Sequence, residues 1–122
     1  MAVGERLICA SSDLRDGGDG VRFEVQTRNG PAAAFAVRYY GKVHAYLNRC
    51  AHVPVELDWQ PGRFFDLTGF YLICAVHGAH YDPVTGRCVL GPCKGRRLSA
   101  VTVVEHDGNV YLTEQDDGQQ QP

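Results

Sequence analysis

Val21-Arg22-Phe23-Glu24-Val25-Gln26-Thr27 is the stretch that decides the fold. Val21, Phe23 and Val25 fall on one side of an extended chain, and Arg22, Glu24 and Gln26 on the other. That period of two belongs to a half-buried strand; a helix would need apolar residues three and four apart. Asn29-Gly30 follows as a turn signal. Ala33–Tyr40 and Lys42–Leu47 read as a hairpin about Gly41. Upstream, Arg6–Ala10 reads as a first strand and Asp13–Gly20 as a loop. Downstream, Phe70–Cys74 is an apolar strand, His80–Asp82 a short one and Pro83–Gly86 a turn. Leu98–Glu105 and Val110–Thr113 form a last hairpin across Asp107-Gly108. No segment sustains a helical period. Short strands with turns between them predict an all-β sandwich or barrel.

The chain has 122 residues, 44% hydrophobic and 21% charged, which suits one domain with one compact core. A formal net charge of -2 gives no general affinity for nucleic acid or anionic membrane. The aromatic residues sit mostly inside apolar runs and read as core. The longest apolar stretches, near Ala32–Val37 and Phe70–Val76, are far short of the ~20 residues that a bilayer needs. The N-terminus has no signal-type apolar region and no twin-Arg pair, so the expected location is the cytoplasm. The polar tail, residues 114–122, is expected to be disordered. There is no internal repeat and no linker long enough to divide domains.

Five cysteines do not make a complete disulfide framework. In a reducing compartment, clustered Cys and His are more often metal ligands. Two boxes stand out: Cys50-Ala51-His52 and Cys74-Ala75-Val76-His77-Gly78. Each places a thiol and an imidazole within a few residues, directly after a predicted strand. Two strand-end loops can therefore offer two sulfurs and two nitrogens to one site. Tetrahedral zinc accepts such a set, although zinc fingers pair like with like and do not mix Cys and His within each box.

C-x-H followed by C-x2-H resembles the Rieske iron–sulfur pattern. His77-Gly78-Ala79-His80-Tyr81-Asp82 is similar to the segment after the second ligand pair in that family. Gly91-Pro92-Cys93 resembles its proline loop, and the Leu98–Leu112 hairpin fits its closing strands. The likeness runs from about Glu5 to Thr113 and is strongest to Rieske ferredoxins of ring-hydroxylating oxygenase and nitrite reductase systems. It implies a Rieske-type antiparallel β-sandwich or barrel over residues 1–113, with a cluster-binding subdomain of two loops within about 48–95. It implies one [2Fe–2S] cluster per chain, with Cys50 and Cys74 on one iron and His52 and His77 on the other. Gly78, Ala79, Tyr81 and Pro92 would surround it. Two ferric ions, two sulfides, two thiolates and two neutral imidazoles sum to zero charge. An all-Cys site sums to a negative charge, so the mixed set accepts an electron more readily. Rieske centres as a class span about -150 to +300 mV.

Departures from the pattern refine the expectation. Val55 and Val76 stand where cytochrome bc-type relatives carry a disulfide. Ala79 stands where those relatives carry a Ser that bonds a cluster sulfide, whereas Tyr81 matches their sulfur-bonding Tyr. Fewer donors to sulfur predict a potential toward the low end of the window. The resemblance implies a soluble one-electron carrier, taking electrons from a flavin-dependent reductase and passing them to a terminal oxygenase. Neither a 2-His-1-carboxylate set nor a nicotinamide fingerprint is present, so the chain is not expected to be an enzyme. The alternatives are a small Rieske subunit of a nitrite reductase-like complex and a structural zinc module. No nucleic-acid or membrane partner is expected, and the chain reads as a monomer.

Other residues carry plainer expectations. Cys9 and Cys88 read as buried small hydrophobes; a Cys88–Cys93 bridge is the lesser reading, and Cys93 is read as packing in the proline loop. His44 is a strand residue, His80 points away from Tyr81, and His106 is exposed before a turn. Lys94-Gly95-Arg96-Arg97 is a solvated loop or part of a docking patch. Residues 59–69 look like an insertion, either a docking surface or a flap over the cluster.

Overall fold

A computed structural model describes residues 4–28, 30–50, 55–58, 60–74, 78–91 and 95–114. Among these, nine strands form three antiparallel sheets of three: β1 (Gly4–Ala10), β2 (Val21–Thr27), β3 (Gly30–Tyr39), β4 (Lys42–Leu47), β5 (Leu72–Ile73), β6 (His80–Tyr81), β7 (Cys88–Leu90), β8 (Val103–His106) and β9 (Asn109–Glu114). One sheet has the order β1-β9-β8, the second β2-β3-β4 and the third β5-β6-β7. The only helical piece among the described residues is a single 3-10 turn, Ser11–Asp13. The expected all-β class holds.

The middle sheet explains why β3 reads as a continuous apolar run. Ala34 and Ala36 face one core, with Cys9, Leu14, Val25, Ala45, Val101, Val110 and Leu112. Phe35 and Val37 face a second, with Tyr46, Cys50, Leu57, Phe64, Leu72, Cys74, Ala79, Tyr81, Cys88 and Leu98. A strand buried on both faces has no polar side to show. The first core joins the middle sheet to β1, β9 and the chain entering β8. The second joins it to the small third sheet and the two cysteine boxes. Phe35 and Phe64 stack in that second core with centroids 4.0 Å apart.

Several predicted bounds shift. β3 starts at Gly30 rather than Ala33, paired with Thr27. Leu98–Glu105 is not one strand. Its first half bonds to other neighbours: Leu98 N–H donates to Gly86 O, Leu47 N–H to Ser99 O and Val101 N–H to Ala45 O. Only Val103–His106 then pairs with β9. The strand over Phe70–Cys74 shrinks to Leu72–Ile73, because Phe70 and Tyr71 belong to a turn and are exposed. With Tyr40 they are aromatic residues outside the core, against expectation. β7 was not anticipated; three residues are too few to show a period. Of the predicted disordered tail, residues 114–122, Glu114 is instead the last residue of β9, paired with Gly4, and the rest lies outside the described residues.

Candidate metal centre

Both cysteine boxes begin where a strand ends, as expected: Cys74 directly follows β5, and Cys50 lies three residues beyond β4. Their backbones close in the same way. Cys50 N–H donates to Val55 O at 2.7 Å, and Cys74 N–H donates to Ala79 O at 2.9 Å, each reaching the carbonyl five residues on. In the second box Gly78 N–H also returns to Cys74 O at 2.8 Å. Gly78 sits at φ +72°, a conformation that glycine adopts without a Cβ penalty. Cys50 and Cys74 are both buried and belong to the same core cluster. The other two predicted ligands, His52 and His77, lie outside the described residues, as do Pro92 and Cys93.

The residues expected around the centre converge where they are described. Tyr81 is fully buried, and its hydroxyl lies 3.2 Å from Cys50 Sγ. Ala79 is fully buried beside Gly91, whose missing Cβ would stand 2.9 Å from Ala79 Cα. Glycine at 91 thus lets the chain that enters the predicted proline loop lie directly on the second box. Two buried sulfurs in one core, a hydroxyl aimed at one of them and matching loop closures fit a centre held by thiolate ligands.

The remaining predicted residues are placed as follows. Cys9 is buried in the other core, where burial, then Asp13, raises its thiol above the usual range. Cys88 is buried, with its sulfur 3.5 Å from Leu90 O. His44 is half-buried on β4, and burial, then Lys42, lowers its pKa. His106 is exposed, with Asp107 and Glu5 at 3.0 Å from its two ring nitrogens; those contacts raise its pKa. Arg96 and Arg97 are exposed, which a solvated loop and a docking patch both require, and Lys94 lies outside the described residues.

The supposed insertion is neither simply a flap nor simply a surface. Phe64 is a core residue, whereas Leu67 is fully exposed at the tip of a turn. That turn is organised by Asp66. Its Oδ1 accepts from Thr68 N–H at 3.1 Å, Thr68 Oγ1 at 2.6 Å and Gly69 N–H at 3.1 Å. Burial works against ionisation of Asp66, but the Thr68 hydroxyl and the backbone donors outweigh it and hold its pKa low. The sequence signal was available, since Asp-x-Thr-Gly is an Asx-type turn pattern.

Two further residues carried no such signal. Asn48 and Asp58 are buried, and Asn48 Nδ2 donates to Asp58 Oδ1 at 2.9 Å. Leu57 N–H donates to Asn48 Oδ1 and Gly62 N–H to Asp58 Oδ2, both at 2.9 Å. Arg22 reaches Asp58 at 3.4 Å. This network holds the chain that returns from the first box.

The chain belongs to the Rieske [2Fe-2S] domain family, whose family model matches residues 5–115. A Rieske domain carries a [2Fe–2S] cluster, so the zinc alternative falls. Among solved structures, the Sphingomonas yanoikuyae B1 ferredoxin is similar at 21% identity and TM-score 0.72, over 92% of this chain and 100% of that one. A chain from the complex of reduced oxygenase and oxidized ferredoxin in carbazole 1,9a-dioxygenase is 26% identical, with TM-score 0.68, over 92% and 95%. The ferredoxin of carbazole 1,9a-dioxygenase from Nocardioides aromaticivorans IC177 is 22% identical, with TM-score 0.71, over 91% and 98%. Among curated proteins, none matches this chain.

Proposed function

We propose that this chain is a one-electron carrier whose cluster is held by Cys50 and Cys74 on one iron and His52 and His77 on the other. It receives electrons from a flavin-dependent reductase in the cytoplasm and delivers them to a terminal oxygenase. When bound, the cluster supplies reversible one-electron redox chemistry. The observation that carries this reading is the pair of buried sulfurs, Cys50 and Cys74, in one core, each with its backbone N–H bonded to the carbonyl five residues on. The chain's own groups then have defined tasks. Burial keeps water from both sulfurs. Tyr81 places its hydroxyl at Cys50 Sγ, where it donates once that sulfur is a thiolate and stabilises negative charge there. Gly91, having no Cβ, lets its own backbone lie against Ala79.

The test is the visible and EPR spectrum of anaerobically purified protein before and after dithionite. A reddish-brown oxidised form and a reduced signal with average g below the free-electron value are expected. Cys50→Ser and Cys74→Ser should each abolish them. A coloured, redox-active protein that keeps its cluster in both variants would overturn the ligand set. Stopped-flow mixing with a flavin-dependent reductase, then with a terminal oxygenase, should show electrons entering and leaving; failure of both steps would remove the carrier role.

A further inference from the structure

His80 lies on β6, two residues beyond the second box, and its half-buried ring is braced on three sides. Nδ1 lies 2.8 Å from Gly78 O; a carbonyl can only accept, so Nδ1 donates. Nε2 lies 3.5 Å from Asp66 Oδ2 and donates toward it when the ring carries its second proton. Tyr71 meets the ring edge-on, with centroids 6.1 Å apart. Asp66 is itself immobilised: Oδ1 is taken by Thr68 and Gly69, and its backbone N–H donates to Tyr71 O at 2.8 Å. Oδ2 is the oxygen turned to His80.

Gly78 is the point that needs such support. It is exposed and has no side chain to pack, at the position directly after the box's histidine. Glycine has more backbone freedom to lose than any other residue. Its N–H is tied to Cys74 O and its carbonyl to His80. A path of direct contacts therefore runs from the Asp66 turn through the His80 ring to Gly78 and back to Cys74.

We infer that His80 is a positioning residue for the second cluster-binding loop, with Asp66 as the anchor that aims its ring. The inference rests on the reading that residues 74–77 hold the cluster, but the tether itself is a property of the polypeptide. Segment 60–73 is thereby coupled to the metal site through one imidazole.

The test combines hydrogen exchange of the peptide covering 74–80 with the rate at which a chelator bleaches the cluster and with the midpoint potential. His80→Phe keeps an aromatic ring against Tyr71 but removes both nitrogens. It should speed amide exchange in that peptide, accelerate bleaching about tenfold, the low end of what outer-shell partners contribute at metal sites, and shift the potential. His80→Asn retains an N–H near the Nδ1 position and should recover much of the protection. Asp66→Asn should act in the same direction as His80→Phe, yet add nothing when combined with it. Unchanged exchange and bleaching in His80→Phe would overturn the inference. So would an Asp66→Asn effect of equal size with and without His80→Phe, because Asp66 would then act as a bare charge. If His80→Phe does not fold, the Asp66→Asn and His80→Asn comparison decides alone. If the wild-type protein binds no cluster, the carrier reading fails, while the exchange measurement still judges the tether.

Discussion

Tyr81 shows how much one position can carry. Strand alternation alone put Tyr81 and His80 on opposite sides of a short strand, and the structure agrees: Tyr81 is fully buried and His80 is not. The resemblance also placed the Tyr81 hydroxyl at a ligand sulfur, and it lies 3.2 Å from Cys50 Sγ. Removing that donor should leave the ring packed and the sulfur less stabilised. Tyr81→Phe is therefore expected to lower the midpoint potential. A hydrogen bond of about 1 kcal/mol corresponds to roughly 40 mV for one electron. Spectroelectrochemistry on both proteins measures it, and an unchanged midpoint would show that the hydroxyl does not act on the cluster. The partner of His80 could not be read in the same way. Asp66 is fourteen residues away, and nothing local links the two.

At the scale of an element, the turn after β6 separates what was legible from what was not. Pro83-Val84-Thr85-Gly86 reads as a turn from composition, with Asp82 closing the strand before it; the structure draws Asp82 into the turn. The structure closes it with Gly86 N–H to Asp82 O at 2.7 Å and Val84 N–H to Asp82 Oδ1 at 2.8 Å. Gly86 has φ +76°, but the stronger reason for a glycine comes from elsewhere: a Cβ there would stand 2.7 Å from Cε1 of Tyr46 on β4. The Tyr46 hydroxyl in turn donates to Pro83 O at 2.8 Å, and burial pushes its pKa well above the usual phenol range. The tyrosine thus seats the turn on the middle sheet. Gly86→Ala combines left-handed strain with overpacking, and about 2 kcal/mol of destabilisation is expected. The shift of the urea midpoint measures it; a loss under about 0.5 kcal/mol, the range of ordinary surface changes, would mean that the Tyr46 ring moves aside.

Across the whole molecule, Arg38 on β3 ties the middle sheet to β8 and to the loop after β1. Its guanidinium meets Glu105 Oε2 at 2.6 Å and donates to Leu14 O at 2.8 Å and Ser11 O at 3.1 Å. The hydrogen bond from Arg38 holds the Glu105 carboxyl below its ordinary value of 4.5. The folded carboxyl therefore binds a proton less readily than the unfolded one. Its contribution to stability is complete above about pH 4.5 and is lost as pH falls through the depressed value. Glu105→Gln should flatten the acid limb of a stability-against-pH curve, with the variant and wild type converging at low pH. Parallel curves over that limb would show that the pair does not couple the sheets.

The sequence by itself determined the all-β class, the alternation of β2, the hairpin about Gly41, the paired boxes and the placing of His80 and Tyr81 on opposite sides of β6. All of these rest on local rules: a side-chain period of two, turn chemistry, and the spacing of thiol and imidazole. Only the tertiary structure decided that β3 serves two cores, that Leu98–Val101 leaves β9 for other partners, and that Phe64 carries the supposed insertion into the core. It alone joined Asn48 to Asp58, Asp66 to His80 and Arg38 to Glu105. Those pairings are made between side chains far apart in the chain. Their energies depend on distance and burial in the folded state, and no local pattern of residues records either quantity.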